Sequence, residues 1–587
     1  MPLTKFPEDL NLTFPDWREQ QLDGIDWIMQ DWEDEMDSAT EEMYSRSGAW
    51  TDVHFDKMDI KVLNAPPGSG KTGIILGAIK SLPKFERVLI LCGTKVEQEQ
   101  YLANLQTLPD TDIMKLSGKN NYHCIDDHPY ADTSECTKSG CKITHVDEAP
   151  CQDGYKCPVK EMCPYYGRKT KAQNTRIVVT NYAFGLSILN YAKMGWGPFD
   201  LIVCDEAHQI EEYIGSFVGI TLYRRQYERL TGESLPLMDR RGGYGNTLPA
   251  WKTWAVEQDE FLQELIPDLL DNWSGTKDVE YYKSKKEKQK YADLWNKVKR
   301  ISLLDDNYIP EEDTTQVSFS PVWMDDHSKN VLFRHGRHIV MMSGTMPITE
   351  LLVKKSGLSE GSLNQKLSNG SSKRMNLPIT FPKANRLITV MPKVKLDRKH
   401  IDQNLGRLAF EVDELLDSYQ DSNVLIHTVS YKVANAIFNG SSFRDRMLTH
   451  TTTDRMQVLE EFKQSTKPAI LLSPSMEQAI DLSGDQCRAI IIPKIPYPFL
   501  GSKIIQRRMK GGSIGRRYYN GEAVLALIQM AFRGVRSMDD WCYTYILDAS
   551  AVKFFRQTKN MIPKEVRDAM LLDEDSSGSP VPFFSVQ

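Results

Sequence analysis

The run Ala65-Pro66-Pro67-Gly68-Ser69-Gly70-Lys71-Thr72 combines residue types that can hold a triphosphate. Its glycines let consecutive backbone N–H groups face phosphate oxygens, Lys71 can reach the β- and γ-phosphates, and Thr72 can hold Mg²⁺. The segment before it, DIKVLN, is strand-like, and the segment after it, GIILGAIKSL, is helical. A helix starting there adds its positive end to the same spot. Further along, Asp205-Glu206-Ala207-His208 closes the apolar run LIVC. A strand there sets Asp205 at the edge of a sheet, where it can help bind Mg²⁺, while Glu206 can orient or deprotonate an attacking water. A lone Asp-Glu after a strand is commonly just an acidic turn. With the phosphate loop upstream, the pair reads as nucleoside-triphosphate hydrolysis.

A second group of reactive side chains is the cysteine window. Six of the ten cysteines, Cys124, Cys136, Cys141, Cys151, Cys157 and Cys163, fall close together. The others, Cys92, Cys204, Cys487 and Cys542, stand among apolar residues and read as core thiols. The opening MPLTKFPEDLNLTFPDW lacks the basic start and apolar stretch of a secretory signal, so a cytoplasmic setting is expected. In that setting clustered cysteines are metal ligands more often than disulfides. Zinc sites usually come as two close Cys-x-x-Cys pairs. Here Cys151, Cys157 and Cys163 are evenly spaced with Cys124 far upstream, a three-plus-one layout that suits a [4Fe–4S] cluster better. His123, His128 and His145 keep zinc as the alternative, and Cys136 and Cys141 are surplus.

These groups need a frame. Strand, glycine loop and helix from residue 60, then the apolar runs RVLILCGT, RIVVTNYAF and FDLIVCDEAH, describe a parallel α/β sheet. Residues 117–168 interrupt it with polar, Cys-, Pro- and Gly-rich sequence that cannot bury a core alone. Residues 215–316 are helix-prone and read as a second, largely helical insertion, after which IVMMSGT returns to strand character. Beyond about residue 380 a second alternating set, NVLIHTVS, AILLSPS, AIIIPKIPYP and CYTYILD, makes a second α/β domain. Around Trp27 and Trp32 the sequence is acidic and reads as a solvated helix face, and the tail from Asp573 reads as disordered.

The 587-residue length exceeds a single core, and no apolar run is long enough to span a bilayer. A net charge of −7 is not that of a protein that coats nucleic acid, although a motor can hold its strand in a local basic channel. In Ser502–Gly521, Lys503, Arg507, Arg508, Lys510, Arg516 and Arg517 occur without an acidic residue and Tyr518 and Tyr519 follow, which reads equally as such a channel, with cations for phosphates beside aromatics for stacking, or as a solvated basic loop.

Asp205-Glu-Ala-His208 narrows the hydrolase to a superfamily 2 helicase, and the chain resembles the XPD/DinG family of iron–sulfur DNA helicases, in its short bacterial or phage form. The matches run in order: Gly68-Ser-Gly-Lys-Thr72, Asn121-Tyr-x-Cys124, Cys163-Pro-Tyr-Tyr, Val178-Val-Thr-Asn-Tyr182, Asp205-Glu-Ala-His208, Ser343-Gly-Thr345, His427-Thr-Val-Ser430, Pro496-Tyr-Pro498 and Gln529-x-x-x-Arg533-x-x-Arg536. Phe14-x-x-x-Arg18-x-x-Gln21 is similar to an adenine-reading element.

The resemblance implies two RecA-like motor domains. Motor domain 1 is expected over 1–116, 169–214 and 317–350, carrying an iron–sulfur insertion at 117–168 and a helical arch at 215–316. Motor domain 2 is expected over 351–572, with a disordered tail at 573–587. It implies a monomer that moves five-prime to three-prime on single-stranded DNA and opens forked DNA with ATP. A translocase remodelling protein–DNA complexes, or a weakly catalytic scaffold, is the alternative. Lys71, Thr72, Asp205, Glu206 and His208 would form one half of the ATP site and Gln529, Arg533 and Arg536, with Asp481, the other. Two departures, Gln478-Ala-Ile-Asp481 for Glu-Gly-x-Asp and Phe532 for Gly, bear on the second half.

Overall fold

The computed structural model describes residues 7–32, 59–125, 161–266, 279–474, 482–573 and 580–585, apart from 8–9, 11, 15, 67, 83–84, 105–111, 192–195 and 239–245. Short runs rich in branched aliphatics form the strands β1 (Asp59–Asn64), β2 (Val88–Cys92), β3 (Ile113–Lys115), β4 (Ile177–Asn181) and β5 (Phe199–Cys204). Three strands of an insertion follow, β6 (Ile220–Tyr223), β7 (Tyr308–Glu312) and β8 (Gln316–Pro321), then β9 (Gly336–Ser343) and β10 (Arg374–Asn376). The first sheet has the order β10-β1-β9-β5-β2-β4-β3, with every pair parallel. Parallel strands need covered faces, and both are covered: Leu63 of β1 joins one apolar cluster with the helix Lys71–Ser81, and Ile60 and Val62 join another with the helix Tyr182–Tyr191. Because β9 lies between β1 and β5, the loops leaving these three strands open on one sheet edge. In an open α/β sheet that carboxyl edge is where ligands sit.

A second sheet contains β11 (Ile388–Val394), β12 (Val424–His427), β13 (Met447–Thr449), β14 (Ile470–Ser473), β15 (Ala489–Ile492), β16 (Tyr543–Asp548), β17 (Met570–Leu572) and β18 (Val581–Pro582). Their order is β13-β14-β12-β15-β16-β11-β17-β18, parallel except for the last pair. The chain is thus α/β, with two parallel-sheet lobes, and its strands are buried on both faces by separate clusters.

Four expectations change. The first sheet does not end near residue 350: after the helix Thr349–Ser356 the chain returns as β10 beside β1. Three residues, Arg-Met-Asn, are too short and polar to signal a strand. The insertion at 215–316 is largely helical as expected but runs on to Pro321 and carries an antiparallel sheet of β6, β8 and β7, with Trp251 and Val298 packed in one cluster with Phe319 of β8. The tail is not disordered throughout, because β18 pairs with β17 and Phe583 is buried in the second lobe's core. Its acidic, serine-rich lead hides that apolar anchor. Trp27 and Trp32 are buried rather than on a solvated face: Trp32 Nε1 donates to Asp59 Oδ2 at 2.5 Å, and the Lys61 ammonium sits 4.0 Å from the Trp32 ring centre. Lys61 also donates to the carbonyls of Ile28 (2.7 Å) and Gln30 (2.6 Å), satisfying the end of the helix Glu19–Met29. No described helix is long and apolar enough to cross a membrane.

Candidate active site

The loop after β1 is held from both ends. Ala65 N–H donates to Ser343 O at 2.8 Å, which fastens it to the end of β9. Gly68 and Gly70 have φ of 79° and 75°, the left-handed region that glycine enters without strain. A Cβ at Gly68 would lie 2.0 Å from Phe381 Cζ, and one at Gly70 would lie 2.2 Å from Gln21 Nε2, so side chains from two directions press on the loop backbone. Gln21 Nε2 donates to Gly70 O at 3.3 Å, and Arg18 Nη1 donates to Gly68 O. The helix Lys71–Ser81 then starts with no side-chain cap, which leaves its first N–H groups facing the cleft. Pro67 lies outside the described residues.

At the end of β5 the carboxylates are arranged by burial. Asp205 accepts from Tyr101 Oη at 3.0 Å and from the Glu206 N–H at 2.8 Å. Glu206 has φ 48°, a strained conformation for a residue with a Cβ, and this turns its side chain back toward the loop. There it pairs with Lys71, whose Nζ is also 3.7 Å from Asp205 Oδ1. Ser343 Oγ donates to Glu206 Oε2 at 3.1 Å, and His208 Nδ1 lies 2.8 Å from Ser343 Oγ and 3.2 Å from Glu206 Oε2. Burial pushes the Asp205 carboxyl above the usual range, with Lys71 opposing. Burial also works against the Glu206 and Lys71 charges, but each is held ionised by the other: Glu206 lies well below the carboxylate range and Lys71 above the amine range.

The second lobe closes the cleft. Gln529, near the end of the helix Ser513–Ala531, places Nε2 2.7 Å from His208 Nε2 and donates to Thr345 Oγ1 at 3.0 Å. Phe532, Arg533 and Arg536 follow on the same wall. An open cleft of about 520 Å³ lies between the lobes, with Arg18, Pro66, Gly68, Ser69, Gly70, Lys71, Thr72, Glu206, His208, Gln529, Arg533 and Arg536 on its lining. Ala65 lies buried beneath the loop, Asp205 is buried behind Glu206, and Asp481 is outside the described residues. His427, at the end of β12, is buried with no hydrogen-bond partner among the described residues and is held neutral, its pKa lowered to about 3 by burial and by Arg533.

Sequence reading missed several lining residues, chiefly Glu97 and Tyr213. Glu97 caps the helix Lys95–Ala103, accepting from the Gly93 N–H at 2.8 Å and the Thr94 N–H at 3.0 Å. Its pKa is raised to about 7 by burial, then by Asp205 and Glu206. The signal was there: Thr94-x-x-Glu97 is a capping box directly after β2, the neighbour of β5.

Two of the four expected cluster ligands are described. Cys163 precedes the helix Pro164–Gln173 and is buried with Tyr165, and Cys124 packs against the same small cluster beside Tyr122. Residues 39 apart in sequence (163 − 124) thus pack in one small cluster. Cys136, Cys141, Cys151 and Cys157, with His128 and His145, lie outside the described residues. The basic stretch divides: Arg507, Lys510, Arg516 and Arg517 are exposed, but Arg508 and Tyr518 are buried between the lobes and so do not belong to an open strand-binding surface. Tyr519 stacks on Tyr497, with ring centres 4.9 Å apart and planes 9° from parallel.

Residues 413–569 match a family model described as a helicase C-terminal domain, and residues 16–230 match the res subunit of type III restriction enzymes. The ATP-dependent DNA helicase YoaA of Escherichia coli is 20% identical over 569 residues, covering 82% of this chain and 86% of the relative. The Haemophilus influenzae YoaA is 20% identical, covering 67% of each. A helicase of Methanocaldococcus jannaschii, MJ0942, described as a probable ATP-dependent enzyme, is 19% identical over 83% of this chain and 88% of its own. Among solved structures, an XPD helicase superimposes with a TM-score of 0.55 at 16% identity, covering 93% of this chain and 98% of its own. The XPD4 protein of S. tokodaii gives 0.53 at 14% identity, covering 88% and 96%. These structural likenesses concern the fold.

Proposed function

We propose, from the premise that this chain is an XPD/DinG-like, superfamily 2, ATP-dependent helicase, that it moves five-prime to three-prime along single-stranded DNA and separates the duplex ahead of it. The observation that carries this reading is the cleft itself: Lys71 and Glu206 on one lobe face Gln529, Arg533 and Arg536 on the other. The substrate ATP fits this wall by charge. Backbone N–H groups of Gly68 to Thr72 take its β- and γ-phosphates, and Arg18 reaches in from the N-terminal segment. Thr72 and Asp205 would hold Mg²⁺, which supplies charge neutralisation on the phosphates.

Lys71 is paired with Glu206, so a γ-phosphate that draws Lys71 away releases a carboxylate to orient and deprotonate the attacking water. Ser343 and His208 hold that carboxylate in place. Arg533 and Arg536 approach the transferred phosphoryl group only when the second lobe is seated, so charge stabilisation in the transition state is tied to lobe closure. Cleavage and phosphate release relax the seat, and alternation between the two arrangements advances the strand.

Cys124, Cys151, Cys157 and Cys163 would hold a [4Fe–4S] cluster, whose thiolate bonds would tie together stretches of chain far apart in sequence. The shared packing of Cys124 and Cys163 supports this, and four thiolates suit iron–sulfur chemistry better than zinc. Exposed Arg507, Lys510, Arg516 and Arg517 are the candidate phosphate contacts of the second lobe. The test is unwinding of a forked duplex by the wild type and by Glu206→Gln. Strand separation that needs ATP and falls at least about 100-fold in the variant is expected. ATP turnover without any strand separation would favour a translocase that remodels protein–DNA complexes.

A further inference from the structure

Below the ATP cleft the two lobes meet at a second point made of buried charge. Glu211 lies on the helix Ile210–Val218, one turn after His208. Its carboxylate pairs with the Arg508 guanidinium and accepts from Tyr518 Oη at 3.0 Å. Arg508 also donates from Nη1 to Tyr518 Oη at 2.6 Å and from Nε to Val322 O at 2.8 Å, and it lies over the rings of Tyr518 (4.5 Å) and Trp323 (5.0 Å). Lys355, on the helix Thr349–Ser356, sits 3.4 Å from Glu211 and 2.9 Å from Glu522. Glu211, Lys355, Arg508 and Tyr518 are each 6% exposed or less. The first two belong to the first lobe. Arg508, Tyr518 and Glu522 belong to the second.

Two features distinguish this cluster from ordinary packing. It pairs two carboxylates with two cations, with a third carboxylate, Glu212, close enough to feel Lys355, Glu522 and Glu211, yet it occupies an interface where apolar side chains would bind more strongly, since desolvating ions costs much of what their attraction returns. Charges suit a contact that must also be soluble when parted. Secondly, Tyr518 and Glu522 share the helix Ser513–Ala531 with Gln529. Eleven residues separate Tyr518 from Gln529, about 16 Å of rigid helix. The stretch from His208 to Glu211 therefore touches that helix twice, His208 on Gln529 at one end and Glu211 on Tyr518 at the other. Two contacts fix an angle where one would leave a swivel.

We infer that Glu211, with Arg508, Tyr518, Lys355 and Glu522, forms an ionic seat that sets the angle of the helix Ser513–Ala531 on the first lobe, and so delivers Gln529, Arg533 and Arg536 to the triphosphate. These are positioning residues, since none of them lines the nucleotide cavity. The inference rests on the lobe-closure reading above. It makes Arg508 and Tyr518 part of the motor's coupling rather than of its strand grip.

The test uses the full chain and its variants Glu211→Gln, Tyr518→Phe and Glu211→Met with Arg508→Met. The probes are ATP with a thymidine oligonucleotide, and hydrogen exchange of residues 513–531 under a non-hydrolysable ATP analogue. Glu211→Gln is expected to lower the strand-stimulated kcat by about 10-fold with the KM for ATP within twofold, because the groups that grip ATP lie elsewhere. Exchange across 513–531 should quicken. The paired Met variant should regain wild-type thermal stability while its kcat stays low, which separates coupling from folding. Tyr518→Phe removes one hydroxyl and no charge, so it carries the test if Glu211→Gln does not fold. Wild-type kcat and exchange in Tyr518→Phe, or wild-type kcat in the paired Met variant, would overturn the seat. A wild type with no strand-stimulated ATP hydrolysis would instead overturn the motor reading itself.

Discussion

At the scale of single residues, the chemistry is governed by who neutralises whom. Lys71 and Glu206 each stay charged in a half-buried place because the other is there, and removal of either leaves the other charge without its partner. Histidines elsewhere show the opposite solution. His338 lies between Trp32 and Phe85, with ring centres 4.7 and 5.5 Å away and, among the described residues, no hydrogen bond to either nitrogen. Burial lowers its pKa from 6.5 to about 3. The unfolded chain therefore binds a proton below pH 6.5 that the folded one refuses, so this residue costs stability as pH falls through that window. His338→Phe should flatten the fall of the melting temperature between pH 6.5 and 5, and an unchanged slope would contradict the assignment. The reactive residues were legible because their chemistry demands type and spacing together: Gly-Ser-Gly-Lys-Thr and Asp-Glu-Ala-His allow few other readings. Glu97 was legible as a helix cap, from Thr94-x-x-Glu97, but not as a cleft residue, because a capping glutamate looks alike whether or not a catalytic cleft lies beside it. Arg508 and Tyr518 were misread for a related reason, since a basic, aromatic run does not reveal which side chains face a partner lobe.

At the scale of elements, the long parallel strands were readable from unbroken aliphatic runs, as in VLILC of β2 and AIII of β15. Short pairings were not. β10 and β18 have three and two residues and rely on a neighbouring edge rather than on their own pattern. The β18 turn illustrates the gain from such an anchor: Phe583 is 2% exposed and packs against Phe555. Phe583→Ala should cost about 3–5 kcal/mol, read as a lower denaturant midpoint with an unchanged slope. A loss under about 0.5 kcal/mol, the size of a surface change, would mean the tail is not docked. The cysteine window is tested at the same scale. Cys163→Ser should lose most of the iron and sulfide that anaerobically purified wild type carries, and zinc in place of iron in the wild type would contradict the cluster.

For the whole molecule, the two lobes work as one site because the helix Ser513–Ala531 reaches from the ionic seat to the phosphate cleft. The crossover between lobes adds a further link, since Phe381 packs in the second lobe's core and presses on Gly68 of the phosphate loop. Sequence order and the resemblance announced two lobes with Gln529, Arg533 and Arg536 between them, but not the second contact, which Glu211 makes with Arg508 and Tyr518 only after folding. The central claim, that ATP is cleaved between the lobes, is tested most directly by Arg533→Ala. Strand-stimulated ATP hydrolysis should fall by about 10³-fold or more while binding of the nucleotide to the first lobe persists. Turnover by Arg533→Ala at the wild-type rate would contradict it.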